Sequence, residues 1–499
     1  MFDFTEPYNP TILDPQATRL DLSSITGITD TILTDIVSFL RSNPPALKSL
    51  AFGYQNNLGG RVHLIIEALK TNTNIKSLSL FQCHLGLAEF DMIGQLLKEN
   101  QTIRVINLGA NLDREQTMRN IRPSRADSDS DSDSEVEYKS KRHAKKARRK
   151  TSIAKAQKLA PRKHAHKSRP LAAPLDDFFS GIQTNRTLTS LCLTQADLDY
   201  GSFIDKLSKA IAANRGLVTL DLSCTKLLED KLATLLKACD SNPTITTLDL
   251  HCNQFGSVGI RAIADWLKKP TCKVTTLDLN NNKQIESHDT AYLFEAMTHN
   301  SSVTSLSFAG MKEYADSAAI ASMLRSNMTL TKLNMFANKI GDEGAVMIAA
   351  ALMKNRVLSE LILGANDIKN EGCARLLECP LDSIDFGGNR ITEVTTAIHP
   401  KIQSLDFEGG SMSVFQIPNE SGLERCCLSS TSVTEIVIPD DSKLLELNLY
   451  DTNLKSLTVP FGSPLKVLKL SYCKLDAFEC VGPCQLQTLE IWEPNNYPY

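Results

Sequence analysis

The chain of 499 residues has no apolar run approaching the roughly 18 residues that cross a bilayer, so no membrane role is expected. Its opening, MFDFTEPYNPTILD, is acidic and broken by proline where a secretory leader would be basic and then apolar. The thirteen cysteines include no CxxC pair, and the CxxxC spacing of Cys480 and Cys484 has no companion motif. Neither a disulfide framework nor a zinc module is expected, and the cysteines read as reduced and mostly buried. Also lacking are a phosphate-binding glycine loop, a nucleophile with its base and a metal-ligand cluster. These absences exclude the commoner enzyme classes and point to a non-enzymatic protein with no cofactor, at work in the cytoplasm, the nucleus or both. With 42% hydrophobic residues, 22% charged residues and a net charge of −3, the chain can still build an ordinary packed core.

What is present is a repeat. The pattern L-x-x-L-x-L occurs seventeen times, beginning at Ala17, Leu47, Ile75, Ile103, Leu188, Leu217, Ile245, Val274, Val303, Leu330, Leu358, Leu381, Ile402, Leu423, Leu444, Leu465 and Leu486. Steps run from 27 to 29 residues between Leu188 and Leu358, and are 21 residues from Leu381 onward. Alternation within L-x-L has period two, so each copy holds a short strand with its leucines inward and the intervening residue outward. In a long copy the remainder reads as a helix: after Ile340, Val346, Ile348, Ala349 and Leu352 share one face. The short copies carry prolines, as in IVIPDDSK and LTVPFGSP, which stop a helix and leave an extended outer wall. The expected organisation is an N-terminal cap at 1–16, long repeats at 17–112, an insertion at 113–174, long repeats at 175–380 and short repeats at 381–499.

The segment LTKLNMFANKIGDEGAVMIAAALMKNRV (330–357) resembles the leucine-rich repeat of the ribonuclease-inhibitor type. Asn338, Gly344, Ile348 and Leu352 fall on that motif, as do Asn253, Phe255, Gly259, Ile263 and Leu267 one way along the chain and Asn366, Ile368, Gly372 and Leu376 the other. The resemblance implies an α/β solenoid, a horseshoe with one parallel sheet on the concave face and helices on the convex face to about residue 380. Strands about 4.8 Å apart backed by helices about 8–10 Å apart force the curvature. The motif's asparagine also has a physical reason, since a buried amide can serve the backbone of neighbouring turns with both donors and an acceptor. Asn111, Asn253, Asn282, Asn338, Asn366 and Asn389 are expected to stack in this way, with Cys83, Thr225, Thr431, Thr452 and Cys473 as partial substitutes.

The step from Ile103 to Leu188 is 85 residues, one long repeat plus 57 inserted residues. The strand IRVINLGAN ends at Asn111 and LDDFFSGIQTNRT (175–187) resembles the helical half of the same repeat, so the insertion leaves from the strand-to-helix loop. It has almost no large apolar side chains and two opposed charge blocks, a composition expected to stay disordered. Six acids and no lysine or arginine lie between Asp127 and Glu137; fourteen lysines and arginines and no acid lie between Lys139 and Arg169. That segment carries +8, leaving −11 on the rest. Lys139, Lys141, Arg142, Lys145, Lys146, Arg148, Arg149 and Lys150 suit a nuclear-import receptor, a nucleic-acid backbone or, blandly, a solvated loop. With no aromatic interleaved in the block, nucleic-acid contact would be sequence-independent and salt-sensitive. Ser128, Ser130, Ser132 and Ser134 each precede an acid by three residues, a spacing that suits acidophilic kinases, and phosphate there could mask the basic block.

On the concave face the central outward column includes Asp221, Asp249, Asp278, Asp385 and Asp406, and the next column includes His251, Phe336, Tyr450 and Trp492. Aromatic residues beside carboxylates suit a hot spot for a basic protein partner, although LDL is also a common way to write this strand. After the last strand only EPNNYPY remains, and either Trp492, Tyr497 and Tyr499 fold over the sheet edge, the favoured expectation, or another chain adds to it. The favoured function is a protein-binding scaffold, expected as a monomer. A secreted bacterial effector acting in a host cell would fit the same features. The alternatives are a regulator of a small GTPase, by resemblance to the Ran GTPase-activating protein, and an electrostatic nucleic-acid binder.

Overall fold

A computed structural model describes residues 13–25, 27–54, 58–112, 175–198, 202–311, 315–473, 475–483 and 485–492. The insertion at 113–174, with its basic tract and its four serines, lies outside the described residues, as do most of the N-terminal cap and residues 493–499.

Seventeen strands form one sheet, and each begins two residues after the first residue of a repeat copy, from Arg19–Asp21 to Thr488–Glu490. Successive strands pair in parallel with their middle residues opposite one another, as Leu20 with Leu50, Leu248 with Leu277 and Leu468 with Leu489. The middle leucine of a strand such as Thr219–Asp221 is buried while its two neighbours stay half-exposed, as the period-two alternation requires. Each such leucine contributes roughly 1.5–3 kcal/mol through burial. Between strands of the long repeats lie eleven helices among the described residues, the last at Asn370–Leu377. Helix Gly341–Leu352 buries Ala345, Ile348, Ala349 and Leu352; Val346, expected on this face, is only half-buried, and Ala345 takes the inner position. Beyond residue 380 the outer wall is extended as expected, and two parallel pairs form there: Glu393–Val394 with Val414–Phe415, and Ser456–Val459 with Ala477–Cys480.

The asparagine ladder exists. Asn111 Oδ1 accepts from the backbone N–H of Cys83 and Leu85 while its amide donates to the carbonyls of Leu80 and Leu108. Asn253, Asn338 and Asn366 each donate their own backbone N–H to the Oδ1 of the next rung, Asn282, Asn366 and Asn389. Thr431 and Thr452 return a hydroxyl to the carbonyl three residues back, the partial service expected of a substitute.

A second ladder, not anticipated, runs where the helices end. Asn72, Asn100, Asn185, Asn214, Asn242, Asn300, Asn327 and Asn355 are buried, each three residues before the first residue of a copy. Asn242 is typical: its amide donates to the carbonyls of Ile211 and Asn214 one repeat back, and its Oδ1 accepts from the N–H groups of Thr244 and Ile245. The helix-end carbonyls and the turn amides are thus satisfied by one side chain.

The repeat continues across the insertion. Strand Val105–Asn107 pairs with Ser190–Cys192, and Asn185 donates to the carbonyls of Leu97 and Asn100. Helix Asp176–Thr184 lies so close on helix Leu87–Glu99 that a methyl at Gly181 would stand 2.3 Å from the Gly94 carbonyl oxygen. Phe90 meets Phe178 edge-on beside this contact, ring centroids 5.0 Å apart. Strand Val105–Asn107 and helix Asp176–Thr184 thus take the places of strand and helix in one repeat.

Candidate protein-binding face

The central column of the concave face is built by register. Asp221 stands opposite Asp249, and Asp249 opposite Asp278, on consecutive strands; Asp385 and Asp406 are likewise opposite one another. Strand spacing alone therefore puts three carboxylates in one row, about 4.8 Å from one to the next. Among the described residues no lysine or arginine forms an ion pair with Asp221, Asp249 or Asp278; the one basic side chain beside them is His251, whose Nδ1 lies 2.8 Å from Asp249 Oδ1. Burial pushes the Asp278 carboxyl above its ordinary pKa, and the Asp249 charge beside it adds to the rise. Asp385 is raised in the same way, by burial and then by the charges of Asp406 and Glu408.

The column also shapes the backbone. In Asp221, Asp249, Asp278, Asp385 and Asp406, Oδ1 accepts the backbone N–H two residues on, from Ser223, His251, Asn280, Gly387 and Glu408. Asn334 and Asn448 do the same for Phe336 and Tyr450. This Asx turn closes the exit from the strand, and it explains why Asp and Asn recur at the position. In the acidic rungs it occupies one carboxylate oxygen. Asp221 Oδ2 accepts the Cys192 thiol at 3.0 Å, a bond that together with burial pushes that thiol up to about 12.

Phe336 and Tyr450 are exposed on this face, and Tyr450 packs edge-on against Tyr472, centroids 5.2 Å apart. Tyr472 escapes the sequence pattern because it occupies the left-handed turn position after its strand and neither of the two outward columns. Trp492 corrects an expectation: it is 69% exposed and does not fold down over the edge, while its carbonyl accepts the Tyr472 N–H and extends the sheet. Tyr497 and Tyr499 lie outside the described residues. The aspartates at 221, 249 and 278 and His251 are brought together; Asp385 and Asp406 form a second acidic place further along the sheet, and Phe336, Tyr450 and Trp492 stand on separate strands beyond or between them. His251 is fixed by Asp249, and its Nε2 faces the Cys224 thiol at 3.8 Å. Cys224 and Cys252 hold the same left-handed turn position in adjacent repeats. The twelve cysteines among the described residues are all free, seven of them buried.

The family models and curated relatives agree with this architecture. Residues 265–372 match the TMOD/LMOD leucine-rich domain and residues 241–264 a leucine-rich repeat. Ribonuclease inhibitor of Sus scrofa is 25% identical over 325 residues, 64% of this chain and 58% of the relative. That of Mus musculus is 27% identical over 122 residues, 24% of this chain and 21% of the relative. The chain thus matches less than two thirds of the length of either curated relative. Among solved structures, TLR13 in complex with ssRNA13 aligns over 92% of this chain and 63% of its own with 15% identity and a TM-score of 0.48.

Proposed function

We propose that this chain, a leucine-rich repeat protein resembling ribonuclease inhibitor, is a binding scaffold that takes a basic protein partner on its concave face. The observation that carries the reading is the row Asp221, Asp249 and Asp278, in register and without a lysine or arginine ion pair among the described residues. Lined-up like charges cost stability when nothing compensates them, and a partner's lysines or arginines would relieve that cost. Exposed Phe336 and Tyr450 on the same face supply aromatic anchors. The relatives are named for inhibiting an enzyme, which supports binding and not catalysis as the role of the surface.

The test is capture of partners from cell extract on the full chain and on a variant carrying Asp221→Asn, Asp249→Asn and Asp278→Asn together. Asparagine keeps the oxygen of the Asx turn, so the fold is retained while the charge is lost. Basic partners should weaken by about 30-fold or more, as expected for loss of a hot spot of about 2 kcal/mol. Retention of the same partners at the same salt concentration would overturn the reading.

A second reading concerns location. The run of fourteen lysines and arginines between Lys139 and Arg169 supports recognition by a nuclear-import receptor, in a host cell if the protein is a secreted effector. A fluorescently tagged chain should leave the nucleus when 113–174 is replaced by a short Gly-Ser linker. Unchanged nuclear accumulation would refute it.

A further inference from the structure

On the concave face, two residues of one strand exit and one residue of the next strand form a compact set of nitrogen and oxygen donors. Asp249 and His251 are two residues apart and so share a face, and Asp278 stands opposite Asp249. The ligand-type atoms of Asp249, His251 and Asp278 all lie within 4.8 Å of one another. Donors about 2.1 Å from one ion stand about 3–3.5 Å apart, so small side-chain rotations close this trio on a metal. His251 Nδ1 and Asp249 Oδ1, 2.8 Å apart, already have nearly that separation.

We propose that Asp249, His251 and Asp278 form a binding site for a divalent transition-metal ion of the zinc class.

Three observations support it. The two carboxylates are held in place before any ion arrives, because the Oδ1 of each accepts the backbone N–H two residues on. The row to which they belong has no lysine or arginine ion pair among the described residues, so a dication offsets the repulsion along Asp221, Asp249 and Asp278. The set also combines an imidazole nitrogen with carboxylate oxygens, a composition that suits zinc, cobalt or nickel and not magnesium or calcium, which take oxygen ligands. A second trio, Asp406, Glu408 and Cys427, is as close-set but lacks the imidazole. All three proposed ligands are half-exposed, which leaves a coordination position open to water or to a donor from a partner.

The site is tested on the metal-stripped full chain, by calorimetric titration with Zn2+ and by visible absorption on titration with Co2+. One equivalent of Co2+ should produce d–d absorption that His251→Ala abolishes. Asp278→Asn should weaken Zn2+ binding by at least about tenfold. Asp406→Asn should leave that equivalent unchanged, and Mg2+ should not compete at the same concentration. His251 lies at a half-exposed position, and circular dichroism confirms that each variant keeps the fold. If His251→Ala and Asp278→Asn bind as many equivalents as tightly as the parent, the ions sit on other cysteines or histidines and the proposal fails. It fails equally if the parent shows no Co2+ spectrum. Because His251→Ala leaves the three carboxylates in place, loss of metal with retention of a basic partner separates this site from the binding role proposed above.

Discussion

Gly181→Ala sets two known effects against each other at the joint between the helices on either side of the insertion. Alanine favours a helix interior over glycine by about 0.8–1 kcal/mol, so on propensity alone the change stabilises helix Asp176–Thr184. The added methyl, however, would meet backbone: 2.3 Å from the Gly94 carbonyl oxygen and 2.9 Å from both its carbonyl carbon and Cα. Backbone atoms cannot rotate away as a side chain can, so the helices must part by about 1 Å to reach ordinary contact. Overpacking of that kind costs about 1–3 kcal/mol, and parting the helices also loosens the Phe90–Phe178 contact, worth about 0.5–1.5 kcal/mol. The steric term wins, and a net loss of about 1–3 kcal/mol is expected. Gly94→Ala should behave alike, since its methyl would lie 2.2 Å from the Asp177 carbonyl carbon and oxygen. The double variant should cost less than the sum, because helices already parted accommodate the second methyl. Chemical denaturation gives the loss, and hydrogen exchange should place the faster opening in 87–99 and 176–184. Gly60→Ala serves as the comparison, with nothing within 4 Å of its methyl and no positive φ. Were Gly181→Ala as stable as Gly60→Ala, the close contact between these two helices would be wrong.

The second asparagine ladder predicts that Asn185→Ala and Asn242→Ala each lower stability by about 2–4 kcal/mol, because each strands two carbonyls and two turn N–H groups in the interior; denaturation midpoints measure this, and a loss below about 1 kcal/mol for both would contradict the ladder. Asp278→Asn should stabilise the fold at pH 7 by roughly 0.2–1 kcal/mol, the range of a cross-strand pair. Here the folded state holds the proton more tightly than the unfolded chain, so ionised Asp278 destabilises increasingly as pH rises from the ordinary carboxylate value through the raised one. The gain should vanish in acid below that ordinary value, and a stability curve against pH in which Asp278→Asn is the less stable protein at neutrality would refute the assignment.

Repeat position was legible because its signals are local. The leucine pair of each copy and the 28- and 21-residue steps locate all seventeen strands, and Asn111, Asn253 and Asn366 announce the first ladder by their fixed place after the strand. The second ladder was equally written, as Asn three residues before Ile75, Ile103, Leu188, Leu217, Ile245, Val303, Leu330 and Leu358, but its meaning lies in distant carbonyls, 31 residues away for Asn100 and Asn242 and 88 for Asn185. Nor could the letters apportion Asp249 between turn and partner. Only the geometry shows that Oδ1 is taken by the His251 N–H and that the imidazole swings back to the same oxygen. The nearness of Cys224 to His251 depends on a left-handed residue in each of two consecutive turns, a backbone choice that leucine spacing does not encode.

Ile106 and Leu191 are neighbours in the sheet although 85 positions separate them, where most long-repeat neighbours are about 28 apart. Bringing such distant points of an unfolded chain together costs about 1 kcal/mol more in entropy than an ordinary step. Zippering from either side should therefore pause at this join, with the first four coils and the later thirteen able to nucleate independently before they meet. A ligand gripping both sides of the join would hasten the last act of assembly, and one gripping a single side would not.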